Sequence, residues 1–172
     1  MVSLPDWKIV LVGHSPSRSS VPQAPLTSGA SGWTLAEVTG VSLVTFSFLF
    51  HCVNLFPVEP VYRSSASQRA AAAVRMAAIV RGRRSILLGT DVARAFRLHH
   101  PKPMVWTMTP GGLEVVYLPH PSPLSRWWRV PANRAHASVF LRQEAIGIAL
   151  QVRDELPAGV RLPFIEELAE EV

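Results

Sequence analysis

The stretch KIVLVG, residues 8–13, decides the fold that the sequence predicts. Its apolar part is short and rich in β-branched side chains, and no polar residue interrupts it. A strand that is buried on both faces has this pattern, whereas a strand with one solvent-facing side alternates apolar and polar residues. The stretch therefore predicts a buried strand of a parallel sheet that ends at Gly13.

Patterns typical of strands and helices alternate along the rest of the chain. Thr90 and Asp91 are candidate caps of one helix, and Pro131 suits the first turn of another. Alternation of this kind predicts a three-layer α/β/α fold with a mainly parallel central sheet of about four strands. We expect helices over 33–38, 68–80, 92–98, 132–156 and 164–171, and strands over 46–55, 85–89, 104–108 and 113–118, although 41–50 could instead be helical.

Length and charge favour a single domain with a basic body. The length suits one domain over residues 1–172, with a core at 8–142 and an acidic, helical end at 143–172. Residues 1–142 hold 15 of the 17 Lys and Arg residues but only 5 of the 12 Asp and Glu residues. Most of the cations are Arg, whose planar guanidinium suits phosphate. An extended basic body favours a polymeric anion over a free nucleotide.

Cysteine and histidine usage limits metal and redox chemistry. Cys52 is the single cysteine, which excludes an intramolecular disulfide, a four-cysteine iron–sulfur site and a cysteine-rich zinc site. Four of the six histidines show no ligand spacing with carboxylates and are expected on the surface or on helices, namely His51, His99, His100 and His136. We therefore expect no metal and no cofactor.

The apolar run at 41–58 is the one membrane candidate. His51, Asn54 and Pro57 interrupt it before the roughly 20 apolar residues that a membrane span requires. The first residues of the chain also lack the cationic and apolar regions of a secretory signal. A cytoplasmic protein that does not enter a membrane is expected.

Three polar clusters follow predicted strands. Gly13-His14-Ser15-Pro16 follows the first strand, Asn54 lies at the end of the second, and HPSPLS, residues 120–125, follows the last. In an α/β sheet the carboxyl ends of parallel strands meet at one edge, where ligands bind. Turn chemistry alone also accounts for each cluster, because Gly, Ser and Pro are common in loops. Their co-occurrence favours a functional site.

Residues 120–125 are identical to the second signature motif of the uracil-DNA glycosylases. Residues 8–142 resemble that superfamily in motif order, with GHSP at 13–16 in the place of the first motif and Asn54 in the place of the base-reading asparagine. Residues 25–32 look like the loop that carries a base-stacking aromatic, and 85–98 look like the strand and helix before the second motif.

The resemblance implies a monofunctional DNA glycosylase. Such an enzyme flips uracil or a related pyrimidine out of single- or double-stranded DNA and hydrolyses its N-glycosidic bond. His120 would donate a hydrogen bond to the pyrimidine O2 as negative charge develops there, and Asn54 would read the pyrimidine edge. Gly13, Pro16 and Leu26 would line the base. A monomer is the family expectation.

The HPSPLS loop and the residues after it would hold the DNA backbone. Ser122 and Ser125, with Pro123 in the same turn, can approach two phosphates, and Leu124 is an apolar wedge for the vacated stack. We expect one of the two following tryptophans to be buried and the other exposed. The cations and aromatics that suit backbone neutralisation and base stacking are Arg126, Trp127, Trp128, Arg129 and Arg134.

The chain departs from the family at the first motif. The family places an acidic or amide residue there to handle the attacking water, whereas this chain has His14 and Ser15. A neutral His14 is a candidate general base and Ser15 a candidate water-holding hydroxyl, so both join His120 as candidate catalytic residues. The family's cysteine quartet is also absent, so the chain resembles a compact branch without an iron–sulfur cluster, of a kind expected in a phage or a bacterium.

Several alternatives stay open. Leu26 stands in the place of the stacking aromatic, so the base is expected to pack on it or on Phe46, Phe48 or Phe56. Without the first-motif acid, the protein could be a noncatalytic module that binds uracil or lesion DNA, or an enzyme that acts on a modified base or a free nucleotide. The arginine cluster at 81–84 could contact DNA or form a solvated helix end.

Overall fold

The structure, a computed structural model, describes residues 8–16, 26, 29–58, 61, 63–122, 124–157 and 160–170. Strands and helices alternate along these residues as the sequence pattern predicts. The strands are β1 (Ile9–Gly13), β2 (Phe50–Asn54), β3 (Ser85–Leu88), β4 (Trp106–Met108) and β5 (Glu114–Leu118). The helices are α1 (Ala30–Thr39), α2 (Leu43–Leu49), α3 (Ala66–Val80), α4 (Thr90–Ala95), α5 (Pro131–Glu155) and α6 (Pro163–Ala169), with a 3-10 turn at Trp127–Arg129.

The sheet has five strands in the order β2-β1-β3-β5-β4, and all neighbours are parallel except β4 and β5. The sheet therefore has one strand more than the expected number of about four, and its edge strand β4 lies within the run expected at 104–108. A tight turn explains the addition, because Gly112 has a φ of +73° and its N–H donates to the Thr109 carbonyl at 2.9 Å. This turn folds β4 and β5 into a hairpin.

Helices cover both faces of the sheet, so the fold has three layers. Successive side chains of β1 point to opposite faces. Ile9 and Leu11 enter one core with α1, α2, α5 and α6, whereas Val10 and Val12 enter a second core with α3 and α4. Burial of β1 on both faces confirms the prediction that its uninterrupted apolar pattern made.

The helix and strand boundaries correct the sequence prediction in three places. Residues 43–49 are helical, as the alternative for this region had it, and the strand begins only at Phe50. Ser42 caps this helix by accepting from the Thr45 N–H at 3.0 Å. Helix α4 begins at Thr90, so Gly89 and not Thr90 occupies the N-cap position. The helix ends at Ala95, before the predicted end at residue 98.

The packed core extends beyond residue 142. Helix α5 runs without a break to Glu155, and its buried face continues through Ile148 and Val152. Helix α6 adds Ile165, which is fully buried in the same core. The acidic end is therefore part of the folded domain.

Membrane-spanning helices are not found among the described residues. No single helix there is both long and apolar enough to cross a bilayer, and α1 and α2 meet the criteria only as a pair bent by 85°.

Leu141 and Val139 provide a matched test of this packing. Leu141 is fully buried against the sheet, whereas Val139 on the same helix is 58% exposed. We expect Leu141→Ala to lower the free energy of unfolding by about 2–5 kcal/mol, because it leaves a cavity in the core. Val139→Ala should change that free energy by less than about 0.5 kcal/mol. Urea denaturation followed by circular dichroism measures both, and equal losses would contradict the assigned burial.

Candidate active site

The carboxyl ends of the four parallel strands bring the predicted site residues together. Gly13 at the end of β1 is the register partner of Asn54 at the end of β2. Gly89, directly after β3, donates its N–H to the Leu118 carbonyl of β5 at 2.8 Å. It has a φ of +93°, and a Cβ at this position would lie 3.2 Å from the Cβ of His120. The absence of a side chain at Gly89 therefore lets the β3 loop approach His120 closely.

Asn54 is the best-defined polar group of the site. Its side chain is only 3% exposed, and Oδ1 has no hydrogen-bond partner among the described residues. A Cβ at Gly13 would lie 2.5 Å from this oxygen and 3.2 Å from Leu26 Cδ2. Leu26 and Asn54 therefore both lie close to Gly13. A buried acceptor without a partner costs about 1–3 kcal/mol, which a ligand N–H would recover.

His14 lies at the centre of a polar network that sequence reasoning missed. Its ring meets Phe56 edge-on with centroids 5.2 Å apart, and its Nε2 lies 3.3 Å from Ser64 Oγ. The Arg69 guanidinium donates to the Ser64 carbonyl and, at 3.4 Å, to the Ser64 hydroxyl. The same guanidinium lies 3.8 Å from the Asp91 carboxylate at the start of α4. Ser64 and Arg69 thereby connect the first motif to a carboxylate.

The two site histidines have lowered pKa values. Burial lowers the pKa of His14 below its ordinary value of 6.5, while the Asp91 carboxylate raises this pKa and Arg69 lowers it. The pKa of His120 is lowered by partial burial first and then by the neighbouring His14, although the imidazole keeps contact with solvent. Both rings are therefore mainly neutral at pH 7, and each can both donate and accept a hydrogen bond.

Ser15 is occupied by the backbone of a distant residue. Its hydroxyl donates to the Val61 carbonyl at 3.3 Å and accepts from the Val61 N–H at 3.2 Å. These two bonds fasten the first-motif loop to the segment before α3, and they compete with the water-holding role expected for Ser15. Pro16 follows Ser15 as a buried residue.

The loop after β5 forms a compact turn with an apolar tip. The Ser122 N–H donates to the His120 carbonyl at 2.8 Å, and the Ser125 N–H donates to the Ser122 carbonyl at 2.9 Å. Ser122 Oγ accepts from the Leu124 N–H at 3.2 Å, which leaves its own proton for another acceptor. The Leu124 side chain is 80% exposed, as a wedge must be. Pro123 lies outside the described residues.

The two tryptophans after this loop differ in exposure, though less than predicted. Trp128 is buried and its indole N–H donates to the Pro119 carbonyl at 2.9 Å. Trp127 is half-buried and packs edge-on against Trp128, with ring centroids 5.0 Å apart. The exposed Arg126 and Arg129 flank the pair. The hydrogen bond of Trp128 therefore anchors the residues after the loop, and Arg126 and Arg129 place two cations on the surface there.

Of the three candidate aromatic partners for a base, Phe56 lies at the site. Phe46 is fully buried against Phe50, so its ring cannot be offered to a ligand. Phe48 packs edge-on against Phe164 of α6, beside the core that α1, α2, α5 and α6 share. Phe56 contacts His14, which places its ring at the first motif.

The arginine cluster at 81–84 lies at the amino end of β3, which is the sheet edge opposite the site. Arg84 pairs with Glu144 at 2.9 Å and stacks over Trp106, 3.9 Å from the ring centroid. Arg84 therefore belongs to an ion-pair cluster, whereas Arg81 is exposed at the end of α3, as the solvated helix end had it. A cavity of about 500 Å³ at this edge is lined by Lys8, Arg84 and Glu144, and it is separate from His120.

The described residues contain no group of three or more His, Cys, Asp or Glu side chains that could hold a metal ion. Burial raises the pKa of the Cys52 thiol to about 12, so this cysteine is not a thiolate at neutral pH.

Comparison with known proteins adds no relative. Neither a scan of protein-family models nor a search of curated proteins returns a match for this chain. The likeness to the uracil-DNA glycosylases therefore stays a prediction from the motifs.

The lowered histidine pKa values predict a fold that loses stability in mild acid. A histidine with a lower pKa in the folded state takes up protons on unfolding, so stability falls as the pH drops from the unfolded value of about 6.5 towards the folded one. We expect the free energy of unfolding to fall between about pH 7.5 and 5.5, and His14→Gln or His120→Gln to reduce the fall. Urea denaturation at both pH values measures it.

The exposed His136 is the matched control for this series. His136→Gln shows how far the loss of an exposed histidine alone changes the pH dependence. An unchanged dependence in both His14→Gln and His120→Gln would contradict the lowered pKa values of these two rings.

Proposed function

We propose that the protein is a DNA glycosylase that flips uracil or a related pyrimidine out of DNA and hydrolyses its N-glycosidic bond, leaving an abasic site. The observation that carries the proposal is the buried Asn54 carbonyl oxygen, which has no partner among the described residues and lies beside Gly13 at the strand end. A pyrimidine with an N–H next to a carbonyl group is the complement of an amide side chain. The HPSPLS motif at 120–125 supports the same conclusion.

His120 is the proposed electrophilic residue. Its lowered pKa favours the neutral ring, which can donate an N–H to the base carbonyl oxygen as the glycosidic bond breaks. The bond electrons leave with the base, the water hydroxyl joins the sugar carbon, and the water proton goes to the base or to solvent. A donor placed where charge develops stabilises the transition state more than the ground state.

His14 is the proposed water-handling residue, in preference to Ser15. Its ring is mainly neutral and is oriented by Ser64 and Phe56. Ser15 is bonded twice to the Val61 backbone, so its hydroxyl serves the loop structure. In the loop after β5, the Ser122 hydroxyl retains a proton that it can donate to a phosphate oxygen. The exposed Leu124 side chain is the proposed wedge.

A second candidate function is a noncatalytic reader of uracil or lesion DNA. It is favoured by the absence of an acid at the first motif and by the pairing of the nearby Asp91 with Arg69. The carboxylate that acts on His14 is then partly neutralised by Arg69, which leaves less negative charge to face the sugar. A pocket for a modified base or a free nucleotide is the remaining proposal from the same residues.

A base-release assay tests the proposal. A single-stranded oligonucleotide with one uracil is incubated with excess enzyme and then treated with alkali to cleave abasic sites. We expect product from the parent protein, a loss of at least about 100-fold in rate for His120→Ala, and a loss of about 5- to 150-fold for Asn54→Ala. His136→Ala, a substitution at an exposed histidine on α5, should cleave like the parent.

The outcome also separates the two candidates. Equal cleavage by the parent, His120→Ala and Asn54→Ala would reject the assigned site. Binding of uracil DNA without product, lost in Asn54→Ala, would reject the glycosylase and favour the reader.

A further inference from the structure

A groove runs between α1 and the first turns of α5, and it begins at the HPSPLS loop. One cavity of about 470 Å³ is lined by Thr34 and Arg134 together with Ser122 and Arg129 of the loop region. An adjoining cavity of about 370 Å³ shares Arg134 and continues to Glu37. The two cavities together form what we call the α1–α5 groove. It shares Ser122 with the proposed DNA-binding loop.

An exposed tryptophan lies on α1 next to residues that line the α1–α5 groove. Trp33 lies one helical turn before Glu37, which lines the groove, so the two side chains share a face of α1. Its side chain is 62% exposed, which is unusual for a residue with so large an apolar ring. An indole in this position offers a flat surface for stacking, and every base has a face that fits it.

The charges of the α1–α5 groove suit a phosphate. Arg129 and Arg134 lie on its walls. Arg134 pairs with Glu37 at 2.7 Å, but the two side chains are 43% and 71% exposed. Exposed ion pairs of this kind are weak, so a doubly hydrogen-bonded phosphate can replace the carboxylate on the guanidinium. Glu37 then acts as a competitor of the phosphate at Arg134.

We propose that the α1–α5 groove binds nucleotides that flank the reacting one on a single DNA strand, with a phosphate at Arg129 and Arg134 and an unpaired base stacked on Trp33. The inference rests on the proposed function, because the DNA strand would enter the groove from Ser122 of the proposed DNA-binding loop. A stacked base must be unpaired, so the groove selects single-stranded DNA over duplex.

Fluorescence anisotropy with a uracil-free, single-stranded oligonucleotide tests the groove without any base release. Trp33→Ala should weaken binding by about 5- to 150-fold, and Trp33→Phe should restore most of it, because phenylalanine still stacks. Arg134→Ala should weaken binding and lower the slope of log K against log salt by about one. Glu37→Gln should strengthen binding several-fold, since it removes the competing charge.

Matched controls lie elsewhere on the surface. Arg153→Ala removes a similarly exposed, ion-paired arginine at the far end of α5, and Glu167→Gln removes an exposed carboxylate on α6. Both should bind the oligonucleotide like the parent, apart from the small general effect of net charge. Circular dichroism of each variant shows that it is folded, which is expected because Trp33, Glu37 and Arg134 are surface residues.

The possible results are decisive in both directions. The inference is overturned if Trp33→Ala and Arg134→Ala bind no more weakly than Arg153→Ala, or if Trp33→Ala weakens duplex binding as much as single-strand binding. Failure of base release with intact, Trp33-dependent binding would reject the glycosylase but keep the groove. Normal base release together with unaltered oligonucleotide binding in Trp33→Ala and Arg134→Ala would reject the groove but keep the glycosylase.

Discussion

The parallel pairing of β1 with β2 is the interaction on which the candidate site depends. It sets Gly13 beside Asn54, so that a side chain at position 13 would collide with the Asn54 amide oxygen at 2.5 Å. The pairing continues past the strands, because the Leu55 and Phe56 N–H groups donate to the Gly13 and His14 carbonyls at 2.8 and 2.9 Å. A slip of one residue would turn Asn54 to the opposite face of the sheet. The register of β1 and β2, the glycine at position 13 and the placement of the Asn54 amide therefore depend on one another.

The strand order then determines where a ligand can enter. β2 lies on one side of β1 and β3 on the other, so the chain leaves the carboxyl ends of β1 and β3 in opposite directions. Such a switch point opens a crevice between two neighbouring strands. His14 follows β1 at this crevice, and Gly89 follows β3 there and leaves room for His120. The crevice thus combines residues from the first and last parallel strands.

Much of this arrangement follows from local sequence patterns. The apolar run of β1, the Ala-rich α3 and the Pro131 start of α5 are local signals, and each element lies within a few residues of its predicted position. Residues 43–49 were ambiguous because their apolar pattern suits a buried helix and a buried strand equally. In the structure, Ser42 caps these residues as a helix, and Phe46 of this helix is buried in the core.

The missed parts of the site depend on contacts between distant segments. Ser15 bonds to Val61 and His14 to Ser64, across separations of 46 and 50 residues. A serine and an arginine near the start of α3 carry no local pattern that indicates a partner in the first motif. Asp91 has a local signal as a helix-start residue, but this signal says nothing about Arg69. Tertiary geometry, and not propensity, joins these groups.

The electrostatics of the site limit the chemistry that the proposed enzyme can perform. His14 is mainly neutral, and the closest carboxylate in its network, Asp91, is shared with Arg69, whose side chain is only 17% exposed. Little negative charge is then available to stabilise a cationic sugar, so stabilisation must come from the departing base and from the DNA phosphates. A base that leaves readily as an anion meets this condition best. Uracil does so because its N1 anion is delocalised onto two carbonyl oxygens, and its ring N3–H is the donor from which the Asn54 oxygen would accept, whereas the ring N3 of cytosine carries no hydrogen. In the proposed enzyme, the buried oxygen that would recognise the base would therefore also favour the base whose departure needs the least help from the protein.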